Sequence, residues 1–240
     1  MISVCMATFN GAPYIVEQLQ SICAQLDATD EVIVSDDGST DDTVQQVRSL
    51  HDPRIRIVHN DGPRSYTANF ENALRQAKGD YIFISDQDDV WLPEKVQTVV
   101  RCLRDEGCSV VAHNAIITDA SLRPTAPSYY AIKGHIFRSL AGNLLRFSFL
   151  GCCLAVRREV LLKALPFPSD HLLCTHDNWL FLCASTVGRA KVLDQPLIYY
   201  RRHAGNTSQG GLNEHKPWTF RIHYRLYLIW HLLRRSFSKK

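Results

Sequence analysis

Two short acidic runs hold the side chains with the clearest chemical potential, Asp36-Asp37-Gly38-Ser39-Thr40-Asp41 and Ser85-Asp86-Gln87-Asp88-Asp89. Both follow apolar, β-branched stretches, and in open parallel sheets ligands bind just outside the carboxyl ends of such strands. Carboxylates this dense repel one another unless a cation or hydrogen-bond donors separate them. Asp oxygens together with water suit Mg2+ or Mn2+. Capping accounts for Ser39-Thr40-Asp41, because Asp and Ser commonly open a helix after a strand. It accounts poorly for Asp86, Asp88 and Asp89, which stand several residues before theirs. No glycine-rich phosphate cradle of the form G-x-G-x-x-G or G-x-x-x-x-G-K-S/T occurs. A phosphorylated ligand would therefore need an ion to meet its charge.

These runs need elements to position them. Apolar stretches at Ile2–Ala7, Glu31–Ser35, Arg54–His59, Tyr81–Ser85 and Ser109–Ile117 read as strands. Between them lie helical patterns over about Tyr14–Leu26, Ser39–Leu50, Tyr66–Ala77 and Pro93–Asp105. This alternation predicts βαβ units with right-handed crossovers, hence an α/β fold with a mostly parallel, doubly wound sheet. After Asp119 the pattern loosens. A helix over about Phe137–Leu145, a strand over Leu150–Val156 and a helix over Arg158–Leu165 are expected next. A helix over Asp177–Val187 and a strand over Ala190–Tyr200 complete the body. The expectation is one domain over residues 1–212 and a basic amphipathic helix over 213–240.

Of the 240 residues, 45% are hydrophobic and 21% charged, the mix of a chain that buries a core. No run approaches the roughly 20 apolar residues that cross a bilayer, and the opening MISVCMATFNGAP is no secretory signal. The eight cysteines form no C-x-x-C pair and sit mostly in apolar stretches, as buried free thiols of a reducing cytoplasm would. Seven basic residues and no acid lie between Lys216 and Lys240, leaving 20 basic against 24 acidic residues before them. Such a tail suits an anionic membrane surface or nucleic acid; its interleaved Trp218, Tyr224, Tyr227 and Trp230 favour a helix lying among lipid headgroups. Docking on the protein's own body is the alternative.

The stretches SVCMATFNGAPYI, VIVSDDGSTDDT, ANFENALRQAKGDYIFISDQDDVWLPEK, HDNW and YYRRHAGNTS follow one another over about residues 2–208. In that order and spacing they resemble glycosyltransferase family 2. SDQDDVWLPEK resembles its bacterial branch of rhamnosyl- and other O-antigen or cell-wall polysaccharide transferases. The resemblance implies the GT-A nucleotide-diphospho-sugar fold and gives several residues roles. Ala7, Thr8 and Phe9 would floor the base and ribose. Asp37 would accept the pyrimidine N3–H, which uracil and thymine offer and cytosine does not. Asp86 would lie near the ribose, Asp88 would hold the metal on the diphosphate, and Asp89 would support both. Arg64 would face the base or diphosphate.

The same resemblance makes Asp177 the catalytic base, which takes the proton of an acceptor hydroxyl as it attacks; an N-cap role for the following helix is compatible with this. His176 departs from the family's commoner acid and falls on the acceptor side. His203 would touch the metal or diphosphate from a closing loop, with Arg201, Arg202 and hinges at Gly205, Gly210 and Gly211; a solvated loop histidine is the alternative. Trp91 and Trp179 are candidates for stacking on sugars or for the core. The function implied is inverting, metal-dependent transfer from a UDP- or dTDP-sugar, with Mn2+ or Mg2+, to a hydroxyl of a lipid-linked saccharide. The place implied is the inner face of a bacterial cell membrane, with no nucleic acid involved. The rivals are a phosphatase using Asp86-x-Asp88, a sugar nucleotidyltransferase, and a non-catalytic membrane-bound assembly partner.

Overall fold

The structure, a computed structural model, describes residues 1–206 and 217–237. Its first half alternates β1 (Ile2–Thr8), α1 (Ile15–Cys23), β2 (Glu31–Asp36), α2 (Thr43–Ser49), β3 (Ile55–His59), α3 (Tyr66–Gln76) and β4 (Tyr81–Ser85). A two-residue β5 (Val90–Trp91), α4 (Lys95–Arg104), β6 (Val110–Thr118), β7 (Pro124–Ala126), α5 (Tyr129–Lys133) and α6 (Leu140–Leu145) follow. A 3-10 turn at Gly151–Cys153 leads into β8 (Leu154–Arg157), α7 (Arg158–Ala164), α8 (His176–Val187), β9 (Ala190–Arg201) and α9 (Trp218–Phe237).

The strands form one sheet in the order β3-β2-β1-β4-β8-β6-β9-β5, with β7 beside β6. The first four are parallel, as the βαβ spacing predicts. β8 then runs antiparallel to both β4 and β6, while β6 and β9 are parallel to each other, so the second half is mixed. Register places Thr8 opposite Asp36 and Met6 opposite Ser85. The ends of β1, β2 and β4 thus leave the sheet at one edge, and both acidic runs emerge there.

The helices cover the sheet with the faces their periodicity sets. Ile15, Leu19 and Ile22 of α1, Phe70, Ala73 and Leu74 of α3, and Val96, Val99 and Leu103 of α4 are buried. Each of these side chains except the smaller Ala73 contributes roughly 1.5–3 kcal/mol on burial. Residues 179–184 of α8 are buried all round, the mark of a helix inside the protein. Gly79 after α3 serves close approach: a Cβ there would lie 2.6 Å from the Ser3 main-chain nitrogen. The cysteines are all free, and all but the half-buried Cys23 are buried.

Some boundaries differ from expectation. α2 begins at Thr43, not Ser39, because Ser39 and Asp41 are spent on the neighbouring loop, where they accept from the main-chain N–H groups of Asn10 and Ala12. The helix expected from Phe137 begins at Leu140, where the Ser139 side chain caps the Gly142 N–H. The strand expected from Leu150 opens with the 3-10 turn.

α9 is two-faced. Its inner face packs on the body through the buried Leu228 and Leu232. There Arg235 donates to the carbonyls of Lys163 (3.1 Å) and Leu165 (2.7 Å). Trp218, Ile222, Leu226, Ile229, Trp230 and Leu233 are exposed, and their three- and four-residue spacing lays them along one outer stripe. The tail therefore docks on the body and still presents an apolar face outward. Among the described residues no helix is long and apolar enough to cross a membrane. The expected boundary at 212, Gly210, Gly211, Thr207, Ser208, Lys216, Lys239 and Lys240 lie outside the described residues.

Candidate active site

At the end of β1, the Gln87 amide holds the strand's last residues. Its Oε1 accepts from the Thr8 hydroxyl (2.6 Å) and the Phe9 N–H (2.9 Å), and its Nε2 donates to the Phe9 carbonyl (3.1 Å). Phe9 itself is 48% exposed and offers a free ring face, while Ala7 lies half-buried opposite Ser35. The Asp37 main-chain N–H donates to the Thr8 carbonyl (3.0 Å), and its Oδ1 accepts from Asn60 Nδ2 (2.7 Å). Asp36 is turned inward, accepting from the N–H groups of Gly38 and Ser39; it shapes the turn. Arg64 lies over Gly38, which has a φ of +83° that a side chain would resist; a Cβ there would meet its guanidinium at 3.0 Å. Ala7, Thr8, Phe9, Asp37 and Arg64 therefore lie together where β1 and β2 leave the sheet.

Beyond β4 the carboxylates crowd. Asp88 Oδ2 lies 2.9 Å from both His203 Nε2 and Asn206 Nδ2. The Gly205 N–H donates to His203 Nδ1 (3.1 Å), which leaves Nε2 as the ring nitrogen that faces Asp88. Asp89 is fully buried, with Oδ1 accepting the Arg201 N–H (3.1 Å) and Oδ2 without a hydrogen-bond partner among the described residues. Burial first, then the charges of Asp88 and Asp86, push its carboxyl well above the usual range. Burial, Asp88 and Asp177 push Asp86 up in the same way. Lys95, also fully buried, donates to the Cys152 carbonyl (2.9 Å) and stands 4.0 Å over the Trp91 ring. Burial pulls its ammonium down to about 8, against the opposing pull of nearby Asp89 and Asp86.

Ligand atoms of Asp86, Asp89 and Cys152 lie within 4.8 Å of one another. The partnerless Asp89 oxygen and the crowding of acids are the deficit that a cation removes. Burial and the neighbouring acids keep the Cys152 thiol protonated, and sulfur is too soft for a hard divalent ion. The oxygen donors of the acidic run therefore fit Mg2+ or Mn2+, and the sulfur does not.

Asp177 lies in the first turn of α8, where the helix dipole favours an acid. Its Oδ1 accepts the Asn178 N–H (2.8 Å). The turn at Gly151–Cys153 separates it from the acidic run: a Cβ on Gly151 would lie 3.3 Å from Asp177 Cβ, and the Cys152 thiol sits against Asp86. Asp86, Asp88, Asp89 and Asp177 are thus brought to one place. His176 is buried, stacked on Phe70 at 4.0 Å with neither ring nitrogen partnered among the described residues, and burial lowers its pKa, so the ring is neutral.

Trp91 and Trp179 do not reach a sugar site. Trp91 packs on Phe83 under Lys95, and Trp179 is fully buried with its indole N–H on the Ala164 carbonyl (2.8 Å). Both are core, so the stacking expectation is corrected. Reasoning from sequence missed Gln87, Asn60, Lys95 and Asn206, and it read Arg201, the arginine of β9, as part of a closing loop. Arg201 is buried and reaches the Asp88 carbonyl (2.7 Å) and Glu17 (2.5 Å), fastening β9 to the acidic run. Gln87 and Lys95 lie inside the SDQDDVWLPEK stretch, which was the available signal; Asn60 gave none.

Comparisons with known proteins agree with this geometry. The family described as glycosyl transferase family 2 matches residues 3–165. An uncharacterised glycosyltransferase of Nostoc sp. is 29% identical, over 85% of this chain and 66% of its own length. The dTDP-rhamnosyl transferase RfbG of Shigella flexneri is 27% identical, over 84% and 72%. The Escherichia coli UDP-Glc:alpha-D-GlcNAc-diphosphoundecaprenol beta-1,3-glucosyltransferase WfaP is 25% identical, over 89% and 82%. The chain thus spans just under two thirds of the Nostoc protein and more of the other two. Among solved structures, S. aureus TarS 1-349 with UDP-GlcNAc superposes with a TM-score of 0.71 at 19% identity, over 97% of this chain and 66% of that one. The mannosyltransferase PcManGT of Pyrobaculum calidifontis, in complex with GDP-Man and Mn2+, gives 0.64 at 22%, over 98% and 72%. These likenesses establish the α/β GT-A fold, and with the match over residues 3–165 the chain belongs to glycosyl transferase family 2, a family of sugar-transferring enzymes.

Proposed function

We propose that this chain transfers a sugar, with inversion, from a UDP- or dTDP-sugar to a hydroxyl of a lipid-linked saccharide in bacterial surface polysaccharide synthesis. The observation that carries this reading is the convergence of the Asp86–Asp89 run and Asp177 on the turn at Gly151–Cys153. The base and ribose would lie against Ala7, Thr8 and Phe9, with Asp37, steadied by Asn60, accepting the pyrimidine N3–H. Asp88, with His203 beside it, would hold Mn2+ or Mg2+, which supplies positive charge to the diphosphate as it leaves. Asp177 takes the acceptor's proton while the acceptor oxygen bonds to the anomeric carbon. The bond from that carbon to the nucleoside diphosphate breaks in the same step, and the electron pair leaves with the diphosphate. One displacement inverts the centre.

The outer stripe of α9 and its exposed Arg221 and Arg234 support a second part of the reading, an anionic membrane surface on the cytoplasmic side as partner. RfbG and WfaP carry names that include dTDP-rhamnose transfer and a diphosphoundecaprenol acceptor, which favours the same donors and lipid-linked acceptors here. A panel of UDP-, dTDP- and GDP-sugars with Mn2+, scored by thermal shift and nucleoside diphosphate release, tests the proposal. One donor should bind in a Mn2+-dependent way, and Asp177→Asn should cut its turnover about 10²–10⁴-fold with donor affinity near normal. Full turnover in excess EDTA, or lost affinity with turnover kept, overturns it.

A further inference from the structure

The C-terminal helix reaches the candidate base from behind. Besides its apolar contacts, α9 accepts the Asp170 N–H on the Tyr227 hydroxyl (3.1 Å), so it holds the segment that leads into α8. Nearer its start, the Tyr224 hydroxyl accepts a hydrogen bond from Asn178 Nδ2. Asn178 is fully buried, and its side-chain Oδ1 has no partner, so among the described residues the contact to Tyr224 is its side chain's one polar anchor. The main-chain N–H of the same Asn178 donates to Asp177 Oδ1. Burial, and next the charge of Asp177, push the Tyr224 phenol up, which keeps it protonated and marks its nearness to the base.

We propose that Tyr224 is a positioning residue for the base: by anchoring Asn178 it fixes the N–H that orients the Asp177 carboxylate, and α9 is thereby part of the acceptor side of the site. The proposal rests on the reading of Asp177 as base. An Asp side chain at a helix start has several staggered orientations open to it, and a single N–H selects among them. Removing the phenol oxygen leaves a buried amide donor unpaired, which is unfavourable. Asn178 then relaxes toward another partner, and the oxygen of Asp177 loses its fixed direction.

The test uses the full chain and nucleoside diphosphate release from UDP-glucose or dTDP-rhamnose with Mn2+, whichever the donor panel selects, with water as acceptor. Tyr224→Phe should lower kcat roughly 10-fold, the scale of a small misplacement of a catalytic group, and leave the donor KM unchanged. Asn178→Ala should give the same loss, and the double variant no more than either single one. In an Asp177→Asn background, Tyr224→Phe should cost nothing further. If Asp177→Asn keeps full turnover, the base assignment itself fails. If Asp177→Asn is impaired while Tyr224→Phe turns over like the wild type, or changes only the donor KM or the melting temperature, the inference falls and the base assignment stands. Should Tyr224→Phe not fold, Asn178→Ala alone decides by the same split of kcat from KM.

Discussion

Gly151 offers the sharpest test of the site's geometry. A Cβ added there would lie 2.7 Å from His176 Nε2 and 3.3 Å from Asp177 Cβ, where ordinary contact begins at 3.4 Å. About 0.7 Å must open at the imidazole. His176 has nowhere to retreat, because its ring is buried and stacked on Phe70 at 4.0 Å. The first turn of α8 must move instead, and Asp177 moves with it. Overpacking of this kind costs roughly 1–3 kcal/mol, which lowers the melting temperature of a chain this size by about 2–12 °C. A misplacement near 1 Å costs about 10²-fold in rate, so Gly151→Ala should lose roughly 10–100-fold in turnover. Donor affinity should hold, since Thr8, Phe9, Asp37 and Asn60 lie on other elements. Nucleoside diphosphate release and donor titration calorimetry on one preparation read both quantities. Turnover within twofold of the wild type, or an affinity loss exceeding the rate loss, would refute the reasoning.

Asp88→Asn should abolish transfer and Mn2+-dependent donor binding while leaving the melting temperature unchanged or higher, because an amide relieves the repulsion from Asp86 and Asp89; activity and thermal shift with and without EDTA check this. His113 and His176 are buried with pKa values held down by desolvation. Their contribution is present above the unfolded value of about 6.5 and is lost as pH falls below it toward the folded values. Melting temperature should therefore drop between pH 7 and 5, and His113→Asn, which keeps a donor for the Asn114 carbonyl, should flatten that slope. Replacing Trp218, Ile222, Leu226 and Trp230 with Ser should release the protein from anionic vesicles in a flotation assay without lowering its melting temperature, since all four face outward.

The parallel half of the sheet was legible because its signals are local. β1 to β4 and their helices carry their period and breakers within a dozen residues, and the Asp86–Asp89 run announces itself by charge alone. The second half was harder because β8 reverses direction and joins β4 to β6, a pairing that no stretch of sequence encodes by itself. The roles of Asn60 and Tyr224 depend on partners 23 and 46 residues away, so composition around them says nothing. Trp91 and Trp179 misled for a related reason: an aromatic beside an acidic motif looks the same in sequence whether it faces a ligand or the core. Lys95 stands at a helix start, where nothing in the sequence marks it as the buried cation among carboxylates that it is.

The two faces of α9 set a height. A helix with its side chains is about 10–12 Å across. Tyr224 meets the element that carries Asp177 on one side, and the apolar stripe lies on the other. On the proposed reading, with that stripe resting on a bilayer, the attacking oxygen would stand roughly one helix diameter above the lipid surface. A saccharide anchored through its diphosphate to a lipid presents its terminal hydroxyl at an elevation fixed by how many sugars it already carries. On the proposed reading the helix would then act as a gauge, favouring acceptors whose terminal hydroxyl stands at the height of Asp177.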